Sequence, residues 1–167
     1  MKNKLYKEQE AIEKIRAGKP RKQYYQFWKF LKMNQNKILQ NPRVIIIQKL
    51  YGHHLNKDST ITFPKHRYKK FIKDVVNGTI ERKEYINEII SSELKDEIRI
   101  LRDLTLKIII ESSIYEIVFR PDTPSKIIIN EYLNVANVLI DDGKKRFLNA
   151  VLDKLSKKLR QEKNERV

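Results

Sequence analysis

The chain has 167 residues, 40% of them hydrophobic, with four glycines, five prolines and no cysteine. This length predicts one packed domain with room for an appendage, and the scarcity of Gly and Pro argues against a turn-rich sandwich or barrel. The lack of cysteine excludes disulfides, thiolate zinc sites and cysteine nucleophiles. Lys and Arg number 36 against 21 Asp and Glu, and the net charge of +15 predicts a polyanionic partner, either nucleic acid or an acidic membrane surface.

The positive charge is concentrated near the amino terminus. Residues 1–43 contain twelve bases and three acids, which is a net charge of +9. Within this leader, aromatic and apolar residues recur at helical spacing and predict one apolar helix face: Tyr24, Phe27, Trp28 and Leu31. That face can stack on RNA bases or dock on the main domain, and the helical spacing favours docking.

The sequence contains no apolar segment of the ~20 residues that a membrane-spanning helix needs, and its first residues do not resemble a secretory signal. We therefore expect a soluble, cytoplasmic protein without a membrane partner.

The main body, residues 42–160, predicts five or six helices. Pro42 suits the first turn of a helix that runs to about Asn56. Pro64 is expected to open a second helix, which Asn77 and Gly78 should stop, so that Thr79 caps the third.

The second half of the main body predicts three further features. A very apolar helix, expected to be central, begins near Asp103. Pro124 should occupy the first turn of the next helix after a capping Thr123 or Asp122. A break at residues 141–143 precedes the last helix, which should give way to a charged tail at residues 161–167.

Several motifs resemble the NusB family in order and spacing. In the last third they are Ile114-Tyr-Glu-Ile, Pro124-Ser-Lys-Ile-Ile-Ile-Asn-Glu and Phe147-Leu-Asn-Ala-Val-Leu-Asp-Lys. Upstream, Arg43 with Gln48-Lys-Leu-Tyr51 is similar to the family's first-helix motif, and Phe71, Asp74, Gly78 and Tyr85 stand where the family has similar residues. The resemblance covers about residues 42–160 and leaves the leader unmatched.

The resemblance implies an all-α fold, a NusB-like bundle of two small helical subdomains packed together. The domain organisation is then a basic extension at 1–41, the helical RNA-binding domain at 42–160 and the tail at 161–167. It implies a function without a cofactor: together with the ribosomal small-subunit protein that acts as NusE, such proteins bind the boxA element of nascent RNA. This complex keeps RNA polymerase processive on ribosomal RNA operons and assists rRNA maturation. Members are monomers or homodimers.

The resemblance also implies site residues. RNA contacts are expected at Arg43 and along Lys144, Lys145, Arg146 and Phe147, where a helix N-terminus offers amides to phosphate. Tyr51 is expected at the NusE interface. The alternatives are solvated surface for the basic residues, and a core position for Phe147 and Tyr51. Asn130, Glu131, Asn149 and Asp153 are interpreted as structural residues inside the bundle.

Two departures from the family pattern matter. The basic cluster that usually precedes the first helix is missing, and we hypothesise that the leader supplies this charge through Lys19, Arg21 and Lys22, together with Lys29, Lys32 and Lys37. Glu111 stands where the family's central helix usually has Arg, so an internal ion pair should be rearranged or lost.

No constellation for catalysis is present in the sequence. The histidines are His53, His54 and His66, and no suitably spaced ligands accompany them for a metal. There is no phosphate-binding Gly-rich loop, so we predict that the protein is not an enzyme. The alternative functions are a protein-interaction module in ribosome assembly with generic RNA binding, and a DNA-binding protein. The latter is disfavoured because no helix-turn-helix is evident.

Overall fold

The computed structural model describes residues 41–58, 60–97 and 99–164, with side chains through Gln161. In these residues six α-helices follow one another, with two short 3₁₀ turns, Lys95–Glu97 and Ile100–Arg102, between the third and fourth. The helices are α1 Pro42–Leu55, α2 Lys69–Glu81, α3 Lys83–Glu93, α4 Leu104–Phe119, α5 Ser125–Leu139 and α6 Asp142–Asn164. No strand occurs in the described ranges, which confirms the all-α prediction. The leader, with its aromatic stripe from Tyr24 to Leu31, lies outside them.

Helix α4 is the centre of the bundle and contacts each of the other five helices. Its sequence is apolar on all sides, and such a helix has to be surrounded by protein. Two of the polar residues that it buries are satisfied within the helix, since the hydroxyls of Ser112 and Ser113 donate to the carbonyls of Ile108 and Ile110, both at 2.8 Å. The prediction of a central apolar helix is confirmed.

Three helices begin at a side chain that accepts a hydrogen bond from a backbone amide. The oxygens of Asn41, Asp103 and Asp141 accept from the amides of Arg43, Leu106 and Lys144 at 2.9, 3.0 and 2.9 Å. These bonds satisfy donors that a helix start would leave free. The predicted starts at Pro42 and near Asp103 are therefore confirmed.

The predicted bounds of α2 and α3 are wrong. Pro64 lies in an irregular segment, and α2 begins at Lys69, after a turn in which the amide of Tyr68 donates to Nδ1 of His66 at 3.0 Å. Gly78 does not end α2 but lies within it. Its lack of a side chain leaves room for the ring of Tyr115, which packs directly against the helix at this point. Thr79 caps nothing, since its hydroxyl donates to the Val75 carbonyl within the same helix at 2.7 Å.

Two further boundaries differ from the prediction. Pro124 is the N-cap of α5 rather than a residue of its first turn, and neither Thr123 nor Asp122 caps the helix, because the cap makes no side-chain hydrogen bond. The break between α5 and α6 consists of Ile140 and Asp141 alone, and α6 continues through Asn164, past the point where a tail was expected to begin.

Two helical glycines provide a matched test of the close contact between α2 and α4. A Cβ atom at Gly78 would overlap the ring of Tyr115, whereas one at Gly52 would have no heavy atom within 4 Å. Gly52→Ala is expected to raise the free energy of unfolding by up to about 1 kcal/mol through helix propensity. Gly78→Ala should lower it by about 1–3 kcal/mol because of overpacking. Urea denaturation of both variants checks this, and equal effects at the two positions would contradict the close packing of α2 on α4.

Candidate nucleic-acid interface

The start of α6 is tied to the start of α4 by one lysine. The ammonium of Lys144 lies 2.8 Å from a carboxylate oxygen of Asp103 and 2.9 Å from one of Asp141. The hydrogen bond to Asp103 is the main reason that the pKa of Lys144 is raised, and the amide of Lys144 lowers the pKa of Asp141. Lys144 therefore positions the beginning of α6, and its charge is already matched by two acids.

The three residues that follow Lys144 differ in the exposure of their side chains and in whether those side chains already have partners. Lys145 donates to the side-chain oxygen of Asn137 at 2.8 Å and pairs with Asp142 at 3.3 Å. Arg146 is exposed and has no ion-pair or hydrogen-bond partner among the described residues, and Phe147 beside it is partly exposed. Of the four residues predicted here to contact RNA, Arg146 and Phe147 present their side chains most openly. The amide of Lys144 is not available to a phosphate, because Asp141 accepts its hydrogen bond.

Arg43 is buried in the bundle, whereas an RNA contact was predicted for it from the sequence. It is 8% exposed, and its guanidinium donates to both oxygens of Glu116, at 3.1 and 2.8 Å. Glu116 is fully buried and also accepts from the hydroxyl of Tyr132 at 2.8 Å, while Glu131 pairs with Arg43 at 3.3 Å. Burial lowers the pKa of the guanidinium, but Glu116, Tyr132 and Glu131 together outweigh this effect, so that the pKa is raised. Arg43 is thus a core residue, and the prediction that it contacts RNA is not supported.

Tyr51 is also buried. It is 3% exposed on α1, so the structure favours the core alternative over a surface contact with a partner protein. The sequence pattern of Gln, Leu and Tyr on one helix does not distinguish a core tyrosine from one at a protein interface, because each would lie on the apolar face of the helix.

The residues interpreted as structural divide into two groups. Glu131 serves the bundle interior through its ion pair with Arg43. Asn130, Asn149 and Asp153 instead line a shallow, exposed groove between α5 and α6, where Asp153 pairs with Lys157 at 2.7 Å. For these three residues, the prediction of a place inside the bundle is wrong. Lys19, Arg21 and Lys22 lie outside the described residues.

Sequence reasoning missed a small cavity between α1, α2, α3 and α4. It measures about 30 Å³, and its polar lining includes His53, His54, Lys83 and Glu111. Glu111 forms an ion pair with Lys107 at 3.8 Å. Where the family pattern led us to expect a rearranged or lost ion pair, the structure thus has a pair within α4. Burial raises the pKa of Glu111, against the effect of Lys107 and Lys83.

Two negative findings concern other classes of function. The described residues contain no group of three or more His, Cys, Asp or Glu side chains that could hold a metal ion. None of the helices described is both long enough and apolar enough to cross a membrane.

The described helices thus form a small all-α bundle. One basic helix end, the start of α6, is exposed on it and is held to α4 by Lys144. Residues 40–157 match the model of the NusB family, and the chain belongs to that family. A solved structure of T. maritima NusB superposes with a TM-score of 0.56 at 20% identity, covering 71% of this chain and 89% of that one. At this identity the superposition supports the fold alone.

Sequence relatives carry the name transcription antitermination protein NusB. The protein from Rhizobium rhizogenes is 31% identical over 93 residues, 55% of this chain and 58% of the relative. Those from Mesorhizobium japonicum and Maricaulis maris are each 30% identical, over 56% and 52% of this chain and 61% and 55% of the relatives. The matched part of the chain thus spans between half and two thirds of each relative's length.

Removing one partner of the buried ion pair tests the structural role of Arg43. Arg43→Met is expected to lower the free energy of unfolding by about 3–5 kcal/mol, because Glu116 would remain buried without its counter-ion. Lys157→Met, which breaks an exposed pair with Asp153, should change it by less than about 1 kcal/mol. Thermal and urea denaturation measure both variants. A small effect at Arg43 would show that the guanidinium is not part of the core.

Glu111 gives a pH-dependent test. A raised pKa means that the group favours folding below its ordinary pKa of 4.5 and that this contribution is lost as pH rises through the raised value. Glu111→Gln stays uncharged, so its melting temperature should rise relative to the wild type between about pH 4 and 7. Glu93→Gln is the control with the opposite sign, because the hydrogen bond from Lys158 lowers the pKa of Glu93. Parallel pH profiles for the two variants would contradict the assignment.

Proposed function

We propose that this protein is an RNA-binding transcription antitermination factor. Together with the ribosomal small-subunit protein that acts as NusE, it binds the boxA element of nascent transcripts as part of the RNA polymerase antitermination complex. It promotes processive transcription and maturation of ribosomal RNA. In this role it acts in the cytoplasm by binding and positioning, with no chemical step of its own.

The observation that carries this proposal is the exposed Arg146 beside the partly exposed Phe147, at a helix start that Lys144 holds in place. A guanidinium without a protein partner can bind a phosphate, and a partly exposed ring beside it can stack on an unpaired base. Both side chains lie within one turn of Lys144, which holds the α6 start against Asp103. Family membership supports the choice of boxA and NusE as partners.

The alternative is a protein-interaction module in ribosome assembly whose RNA binding is generic. One observation favours it: residues 141–147 contain three bases and two acids, and Lys144 and Lys145 already have acidic neighbours. A helix start at which the described residues leave a single cation unmatched supplies little of the electrostatic attraction that dominates nonspecific RNA binding. Sequence preference in the presence of NusE distinguishes the two functions.

The first measurement is fluorescence anisotropy of a boxA RNA and a scrambled RNA, with and without NusE, over a series of salt concentrations. We expect tighter binding to boxA and a larger preference when NusE is present. Phe147→Ala should weaken boxA binding by about 1–3 kcal/mol, the range for one stacked base, and Phe147→Tyr should retain the affinity. Equal affinity for the two RNAs with NusE present would support the assembly module instead.

The same titrations test the leader. Lys19→Gln, Arg21→Gln and Lys22→Gln together should reduce the salt dependence of binding by about 0.7 for each phosphate that is no longer neutralised. The preference for boxA should remain, because phosphate contacts carry no sequence information. An unchanged salt dependence would remove the leader from the proposed interface.

A further inference from the structure

The segment that leads into α2, together with the exposed face of α2, holds a dense positive charge. Residues 60–80 contain five bases, all exposed, and one acid, Asp74. Asp74 pairs with Arg120 of the α4 end, and none of the five bases has an ion pair within the described part of the chain. The five bases are Lys65, Arg67, Lys69, Lys70 and Lys73.

This charge is large for its setting. Residues 44–167 contain 24 bases and 18 acids, a net charge of +6, and residues 60–80 account for +4 of it. Within α2, Lys69 and Lys73 are four residues apart and Lys70 and Lys73 three, so the three lie on one side of the helix. Unmatched like charges at this spacing weaken a helix slightly, and their accumulation indicates an anionic partner.

Aromatic rings lie among these bases. Tyr68 is 44% exposed, and the guanidinium carbon of Arg67 lies 4.6 Å from its ring centre. Phe71 is partly exposed, and the guanidinium carbon of Arg120 lies 5.0 Å from its ring centre. Rings that alternate with cations form the kind of surface on which single-stranded bases stack while their phosphates are neutralised.

A chain of aromatic contacts connects α2 with the start of α3. The hydroxyl of Tyr115 donates to Asp74 at 3.4 Å, and the Tyr115 ring stacks on Phe119 at 5.2 Å. Phe119 in turn packs edge-on against Tyr85, which is 43% exposed. The guanidinium carbon of Arg82 lies 4.5 Å from the ring centre of Phe119. We name the α2 surface by its exposed or partly exposed members: Lys65, Arg67, Tyr68, Lys69, Lys70, Lys73, Arg82, Tyr85 and Arg120.

The α2 surface lies at the opposite end of α4 from the α6 start. Asp103, immediately before α4, holds Lys144, whereas Arg120, immediately after α4, pairs with Asp74. Helix α4 has 16 residues and is therefore about 24 Å long. The two surfaces are thus separate sites that one extended strand can reach together.

We propose that the α2 surface is a second binding surface for single-stranded RNA, which holds the transcript where it flanks the element bound at the α6 start. The inference rests on the RNA-binding function proposed above. Charge complementarity selects the occupant: residues 1–40 have a net charge of +8, the same sign as the surface, whereas a polyphosphate strand is negative and is attracted. The exposed rings favour RNA over an acidic protein or lipid surface, since every base offers a face for stacking.

The test compares two RNAs on the full chain by fluorescence anisotropy over a salt series. One RNA contains boxA alone, and the other carries single-stranded uridine extensions on both sides. Lys69→Gln, Lys70→Gln and Lys73→Gln together should lower the salt dependence for the extended RNA by about 2, at 0.7 for each phosphate. Binding of the short RNA should be unchanged. The matched control, Lys57→Gln with Lys126→Gln and Lys157→Gln, removes the same charge from exposed positions elsewhere and should leave both RNAs near wild-type behaviour.

Stacking is tested separately at Tyr68. Tyr68→Ala should weaken binding of the extended RNA about fivefold or more, since a stacked base contributes about 1–3 kcal/mol. Tyr68→Phe keeps the ring and should bind as the wild type does. Circular dichroism of each variant confirms that the helices are retained.

The inference and the proposed function fail in different ways. If boxA is not preferred, the proposed function fails, and uridine RNA alone still tests the α2 surface by the same salt dependence. The inference is overturned if the α2 variants match the control variants on extended and uridine RNA. It is also overturned if they weaken the short RNA as much as the extended one, because the surface would then not be a separate site.

Discussion

The buried ion pair between Arg43 and Glu116 is the constraint on which the rest of the bundle depends. A carboxylate with no exposure to water has to find its hydrogen bonds inside the protein, and Glu116 finds them in Arg43 of α1 and Tyr132 of α5. This requirement fixes how α1 and α5 lie along α4, because a slip of α1 by one turn would leave the charge unpaired and a slip of α5 would remove the hydrogen bond from Tyr132. Hydrophobic packing alone tolerates such a slip far more readily than a bidentate pair does.

The same pair connects the core to the α2 surface. The guanidinium of Arg43 lies 5.2 Å from the ring centre of Phe71, and Arg120 lies against that ring as well. The position of α2, and hence of its row of lysines, therefore follows from the core. At the other end of α4, Asp103 caps the helix through the Leu106 amide and holds Lys144. One apolar helix thus sets the separation and direction of two basic surfaces.

The sequence predicts those features of the fold that depend on neighbouring residues. Pro42 and Asp103 start helices by local chemistry, and the most apolar long stretch has to become the central helix. The close contact of Gly78 and the ion pair of Arg43 are missed because their partners, Tyr115 and Glu116, lie 37 and 73 residues further along the chain. A glycine that allows close packing looks like one that ends a helix, and a buried arginine looks like an exposed one. The bases of residues 60–80 are plain in the sequence, but only the structure shows them exposed among the exposed or partly exposed rings of Tyr68 and Phe71.

The link between α5 and α6 has a thermodynamic consequence. It consists of two residues, Ile140 and Asp141, and the second of them caps α6 while Lys144 holds it to α4. A loop this short and this restrained has few conformations to lose, so a ligand that meets Arg146 and Phe147 does not have to order the backbone that carries them. Association at this end of the molecule is accordingly expected to resemble the docking of a rigid body, with a small conformational entropy change on the protein side.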